Sequence, residues 1–172
     1  MRRNEKTAED IIRRYSRNDK DFRGVTINAD NLSKRRLIGV NFEGATLLEC
    51  NFEKSLLNRS SFKAAVLRGA NFKYADLSNT DLTGADFRGA NLRAVKLTGA
   101  DLRWANLEGA NLTGANISGA KFDGANLRNA NLKDANPGKL WWKANLEEAR
   151  LDSTTLPDGT VFGRATESVP EE

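Results

Sequence analysis

Residues 105–132, "ANLEGANLTGANISGAKFDGANLRNANL", repeat nearly the same five letters. A period of five belongs to neither regular element. In an α-helix, steps of five advance by about 140° and scatter the apolar residues around the cylinder; in a straight strand, odd steps alternate faces. The chain must therefore turn once per repeat, always in the same sense, so that every large residue points at one axis. Such a unit is a solenoid.

The register extends far beyond this stretch. A large apolar residue stands at every fifth position: Phe22, Ile27, Leu32, Leu37, Phe42, Leu47, Phe52, Leu57, Phe62, Leu67, Phe72, Leu77, Leu82, Phe87, Leu92, Leu97, Leu102, Leu107, Leu112, Ile117, Phe122, Leu127 and Leu132. These centres are the predicted core. Seven of the eight phenylalanines are among them, so side-chain size sets the register, not leucine frequency alone.

The other four positions support the same reading. Eleven of the 14 glycines stand two residues after a centre, where a type II turn needs a positive φ. Two residues before the centres from Leu67 to Leu132 the residue is Ala except at Thr80 and Val95, as expected for a second inward position at close-packed density. One residue before the centre is mostly Asn or Asp, which can bond to backbone amides at the corners. One residue after it is mostly charged or hydroxylic and faces water.

This A-(N/D)-(L/F)-x-G pattern resembles the pentapeptide-repeat family over about residues 21 to 161. The resemblance implies an all-β solenoid: a right-handed quadrilateral β-helix of about seven coils, four pentapeptides to a coil. Residues 20 apart would then be neighbours at roughly 4.8 Å, and the rod would be on the order of 30 Å long. Many similar members with a basic-aromatic first helix come from cyanobacteria.

The expected organisation is an N-terminal arm and capping helix over 1–20, a repeat body over 21–162 with a register break near 133–145, and a flexible acidic tail over 163–172. Thr7 with Asp10 reads as a capping box, and residues 7–17 as a helix over the first coil with Ile11, Ile12 and Tyr15 on one face. Asp30 and Arg35 occupy places for small residues, which predicts strain or a bulge there. After Leu132 the next centre would be Pro137, yet the rhythm resumes at Leu146, Leu151 and Leu156. That phase predicts Trp141 as a centre and one residue missing, with "NPGK" as a loop.

Composition narrows the function. The sequence has no histidine and one cysteine, Cys50, which falls at a small inward position and reads as a packed thiol. Histidine acid–base chemistry, disulfide frameworks and Cys/His zinc sites are excluded, and no metal cluster, phosphate loop or triad is present; no enzyme activity and no cofactor are expected. No stretch has the length of a signal peptide or a membrane span, so a cytoplasmic protein is expected unless a leader has been removed.

Candidate contacts lie where the repeat rule lapses. Trp104 occupies a glycine corner and should be partly exposed. Trp141 and Trp142 read as an end plug, with an end-to-end dimer contact as the alternative. Arg68, Arg88 and Arg128, and Lys73, Arg93 and Lys133, form outward basic columns on two adjoining faces, with Tyr74 nearby. The column Asn31, Asn51, Asn71, Asn91, Asn111 and Asn131 is expected to exchange amide bonds along the stack. Ile38, Leu48, Leu56 and Val66 are outward apolar positions for the helix or a partner to cover.

The favoured function is a non-catalytic rigid scaffold or protein–protein interaction module, with another protein as partner and a monomer favoured over an end-to-end dimer. The resemblance also brings in DNA mimicry towards gyrase or other topoisomerases. That reading is disfavoured because residues 21–162 carry 19 basic against 16 acidic residues. Nucleic-acid binding through the basic faces is disfavoured too, for want of a denser cluster with interleaved aromatics.

Overall fold

The computed structural model describes residues 7–138, 146 and 148–163. Parallel bridges join residues 20 apart in four columns that start at Asp21, Thr26, Asn31 and Arg36; these define faces one to four. The chain is thus a four-sided coil, each face one pentapeptide wide.

The repeat 106–110 shows why five residues suffice. The Asn106 amide donates back to Ala85 O at 2.8 Å, Leu107 N forward to Asn126 O at 2.7 Å and Gly109 N to Arg128 O at 2.9 Å. Ala110 N closes the corner on Leu107 O at 2.9 Å. The fifth donor, Glu108 N, goes to the Asn106 side-chain Oδ1 at 3.1 Å. Every backbone N–H of this repeat has an acceptor, and the Asn before the centre supplies the one the ladder cannot.

That role corrects the expected amide ladder. In the column Asn31 to Asn131, each side-chain oxygen accepts from the backbone amide two residues on. Only Asn71 Nδ2 reaches the next Asn of this column, donating to Asn51 Oδ1 at 3.1 Å. A backbone donor is always at hand at the corner, so the local bond wins.

All 23 centres are at most 2% exposed, and the small residues two before them close the remaining space. Phenylalanines stack along the axis towards the N-terminal end: Phe52 lies parallel to Phe72 with centroids 4.7 Å apart, and Phe62 meets Phe72 edge-on at 6.0 Å. Each corner turns at a positive φ two residues after the centre, with glycine at 11 corners and another residue, such as Ala94 (φ 50°) or Trp104 (φ 61°), at the rest. The residue before it is not left-handed, and the corner forms with or without glycine.

At three corners that lack the closing bond, a buried hydroxyl or thiol from the next coil takes the freed carbonyl. Val40 N donates to Ser60 Oγ at 3.1 Å, and that hydroxyl donates to Leu37 O at 3.3 Å. Thr80 Oγ1 donates to Leu57 O at 3.2 Å and the Cys50 thiol to Ile27 O at 3.3 Å. Cys50 is a packed donor, and burial raises its pKa above the usual thiol value.

Helix α1 (Ala8–Ser16) begins at Thr7, whose Oγ1 accepts from Asp10 N at 3.2 Å while Asp10 Oδ2 accepts from Thr7 N at 3.4 Å, completing the capping box. Ile11 is fully buried, and Ile12 and Tyr15 pack against the same core. Tyr15 Oη donates to Ile38 O at 3.0 Å, and the Arg14 guanidinium lies 4.6 Å over the Phe22 ring. Asp30 accepts from Ala8 N at 2.6 Å, while Arg35 is exposed. The closing turn bond is missing at 27–30, 32–35 and 37–40, but also at 47–50, 57–60 and 77–80, so its loss does not single out the first coil. Ile38, Leu48 and Val66 are half-buried, whereas Leu56 remains 39% exposed.

The far end departs from expectation. Asn116 pairs with Asn136 at the usual spacing, but Asn126 pairs with Arg150 and Asn131 with Thr155, a step of 24. Four residues are inserted between Asn136 and Arg150; none is missing. Pro137 has no amide to give the ladder, and Asn136 just before it is the last described residue paired at the 20-residue step. Beyond it the chain returns on itself: Thr155 pairs antiparallel with Val161, and Phe162 N donates to Thr154 O at 2.8 Å. This hairpin occupies an otherwise open edge. Among the described residues no helix is long and apolar enough to cross a membrane.

Leu107→Asp places a carboxylate on the axis at a cost on the order of 5 kcal/mol or more, enough to unfold a typical domain; loss of the cooperative melt by circular dichroism checks it. Gly109→Ala meets nothing within 4 Å but keeps a left-handed φ. It should cost about 1 kcal/mol, and Ala94→Gly should gain a similar amount, read from paired denaturant titrations.

Candidate functional site

Trp104 projects from the corner between faces one and two and is 65% exposed. A left-handed backbone favours glycine, so the indole is held there at a cost of about 1 to 2 kcal/mol, as are Lys54, Arg59 and Tyr74 at their corners. It leans over Gly124, the same corner one coil on, where a Cβ would collide with the ring. Glycine at 124 is required by its neighbour as well as by its own φ of 68°.

Beside the indole lies a cleft of about 360 Å³ lined by Trp104, Ala105, Asn106, Gly124, Asn126, Glu148 and Arg150. Asn126 Nδ2 donates to Asn106 Oδ1 at 3.1 Å and to Glu108 Oε2 at 3.3 Å, which fixes both amides along one wall. An exposed ring, two oriented amides, a carboxylate and a guanidinium thus meet in one place. The cleft offers stacking, hydrogen bonding and charge of both signs.

The arginine column on face two is internally matched. Arg68 Nε and Arg88 Nη2 lie 2.6 and 2.8 Å from Asp86 Oδ2, and Arg128 Nε 3.0 Å from Asp152 Oδ2. Burial works to raise the Asp86 pKa, but the bonds from Arg88 and Arg68 outweigh it and hold the carboxyl at about 2. On face three, Lys73 and Arg93 make no ion pair among the described residues, and neither does Lys133. Tyr74 is 52% exposed, with the ammonium groups of Lys73 and Lys54 at 5.1 and 5.8 Å from its ring centroid.

The predicted residues therefore fall into separate places: Trp104 at one corner, Lys73, Tyr74 and Arg93 together at another, Arg68 and Arg88 around Asp86. Trp141 and Trp142 lie outside the described residues. The partners of Trp104 were not evident in the sequence. Gly124, 20 residues on, could have been read from the coil spacing, but Glu148 and Arg150 are displaced by the insertion.

A family model described as pentapeptide repeats matches residues 36–73, 60–99 and 96–134, with eight copies. Among solved structures, a pentapeptide repeat protein from the Arabidopsis thaliana thylakoid lumen is 36% identical over 56% of this chain, with a TM-score of 0.32; the match covers 63% of that protein's chain. HetL, involved in heterocyst differentiation regulation in the cyanobacterium Nostoc sp. strain PCC 7120, is 24% identical over 91% of this chain and 99% of its own, with a TM-score of 0.27. Full-length QnrB1, a plasmid-mediated fluoroquinolone resistance protein, is 15% identical over 79% of this chain and 74% of its own, with a TM-score of 0.39. No curated protein matches.

The Asp86 geometry gives a pH signature. A carboxyl held at about 2, below its ordinary 3.8, contributes stability that is present above about pH 4 and is lost as pH falls through 2. Asp86→Asn should therefore cost about 1 to 2 kcal/mol at pH 7, and the gap between the variant and the parent should narrow progressively as pH falls from about 4 towards 2. Parallel thermal melts from pH 7 to pH 2 measure it.

Proposed function

The chain belongs to the pentapeptide-repeat family, matched over residues 36–73, 60–99 and 96–134, and on that basis we propose that it is a rigid, non-catalytic interaction module that engages a partner protein at the Trp104 corner. The family fold, a right-handed quadrilateral β-helix, is the scaffold. In our reading it has about seven coils, with α1 capping the first, and acts as a monomer.

The observation that carries this reading is the exposed indole at a left-handed corner beside a cleft. Repeats on either side show that glycine or alanine satisfies such a corner, so the corner itself does not require a tryptophan. Aromatic anchors with large exposed area are the residues that most often dominate protein interfaces. The two fixed amides and the Glu148 and Arg150 charges beside it supply orientation and selectivity.

Trp104→Gly removes the ring and relieves the backbone together. The variant should melt within about 1 kcal/mol of the parent. In affinity capture from native cells, a protein retained by the parent should be lost by Trp104→Gly at unchanged fold. Identical retention by the two would remove this corner from the proposal.

A further inference from the structure

The corner diagonally opposite Trp104, between faces three and four, concentrates positive charge. Successive coils bring to it Lys34, Arg35 and Arg36; Lys54; Lys73; and Arg93 with Lys96. Against these seven cations stand only Glu53 and Asp76. Of these seven, Lys54 alone is ion-paired among the described residues, to Glu53 at 3.6 Å, whereas Arg68, Arg88, Arg103 and Arg128 elsewhere on the rod are each held by an aspartate. The whole chain carries a formal charge of +4, so this one ridge accounts for more than the entire excess.

Two features set the ridge apart from a merely solvated charged face. Its cations recur in four successive coils, roughly 4.8 Å apart and about 14 Å in all, at positions flanking one corner, and they outnumber the carboxylates among them. At its middle stands Tyr74, half exposed and left-handed (φ 60°), between Lys54 and Lys73. A ring at a convex crest, flanked by ammonium groups, offers a stacking surface next to points of positive charge.

We propose that this ridge binds single-stranded nucleic acid, with the phosphates along the Lys34, Arg36, Lys54, Lys73 and Arg93 line and a base stacked on Tyr74. A convex ridge needs a flexible ligand, and a polyanion with aromatic faces uses both the charges and the ring. An acidic peptide would use the charges and leave the ring idle. This site is independent of the Trp104 corner, and neither proposal depends on the other.

Fluorescence anisotropy of a labelled 12-nucleotide single strand, titrated with the full chain at several salt concentrations, tests it. Three or four phosphate contacts predict a slope of log K against log salt of about −2 to −3. Lys54→Glu/Lys73→Glu should weaken binding at least tenfold and flatten the slope. Tyr74→Ala should weaken it several-fold with the slope unchanged. Lys63→Glu/Lys121→Glu, the same charge change on face one, should bind as the parent does, and thermal melts establish that all variants are folded. No binding at low salt, equal weakening by the face-one variant, or equally tight binding of a polyglutamate peptide would each overturn the proposal.

Discussion

Five amide donors per repeat must each find an acceptor while the chain turns a corner, and this constraint shapes the molecule. In a regular repeat such as 106–110, three donors go to adjacent coils, one closes the corner, and one goes to the Asn side chain. The corner is left-handed at every repeat from Gly24 to Asp134, which favours glycine. Closing the corner points one large and one small side chain inward, so the Leu or Phe and the Ala are consequences of the same geometry. Hydrophobic burial stabilises the rod, but the amide accounting sets its period.

The parts of the fold that were legible are those the period controls: the 23 centres, the small inward positions, the glycine corners and the capping of corner amides by Asn and Asp. The far end was not legible, for an arithmetic reason. One residue missing and four residues inserted leave the apolar rhythm in the same phase, so Leu146, Leu151 and Leu156 fit either reading. Only the pairing of Asn126 with Arg150 and of Asn131 with Thr155 separates them. The Asn column misled differently: stacking of like residues was visible, but the competing backbone donor at each corner decides where the oxygen points.

The same limits apply to the surface. Trp104 stood out because it broke the glycine rule, yet its cleft also needs Glu148 and Arg150, which the insertion brings into place. Arg35 stood in the irregular first coil and looked like an exception to packing; only when coils are stacked do it and its neighbours Lys34 and Arg36 join Lys54, Lys73 and Tyr74. Conversely, the Arg68 and Arg88 column, prominent in the sequence, is tied up by Asp86. A rigid square rod lets adjacent coils build surfaces from residues 20 apart, so two diagonal corners of one repeat body can carry unrelated chemistry.

The 20-residue coil is the quantity on which this account stands, and paired deletions test it most directly. Removing 81–100 joins Thr80 to Asp101 and returns every later residue to its own face; removing 82–100 shifts every later residue by one and breaks the inward register. Equilibrium denaturation should show a cooperative, folded rod for the 20-residue deletion and none for the 19-residue deletion. Equal stability of the two would contradict the account.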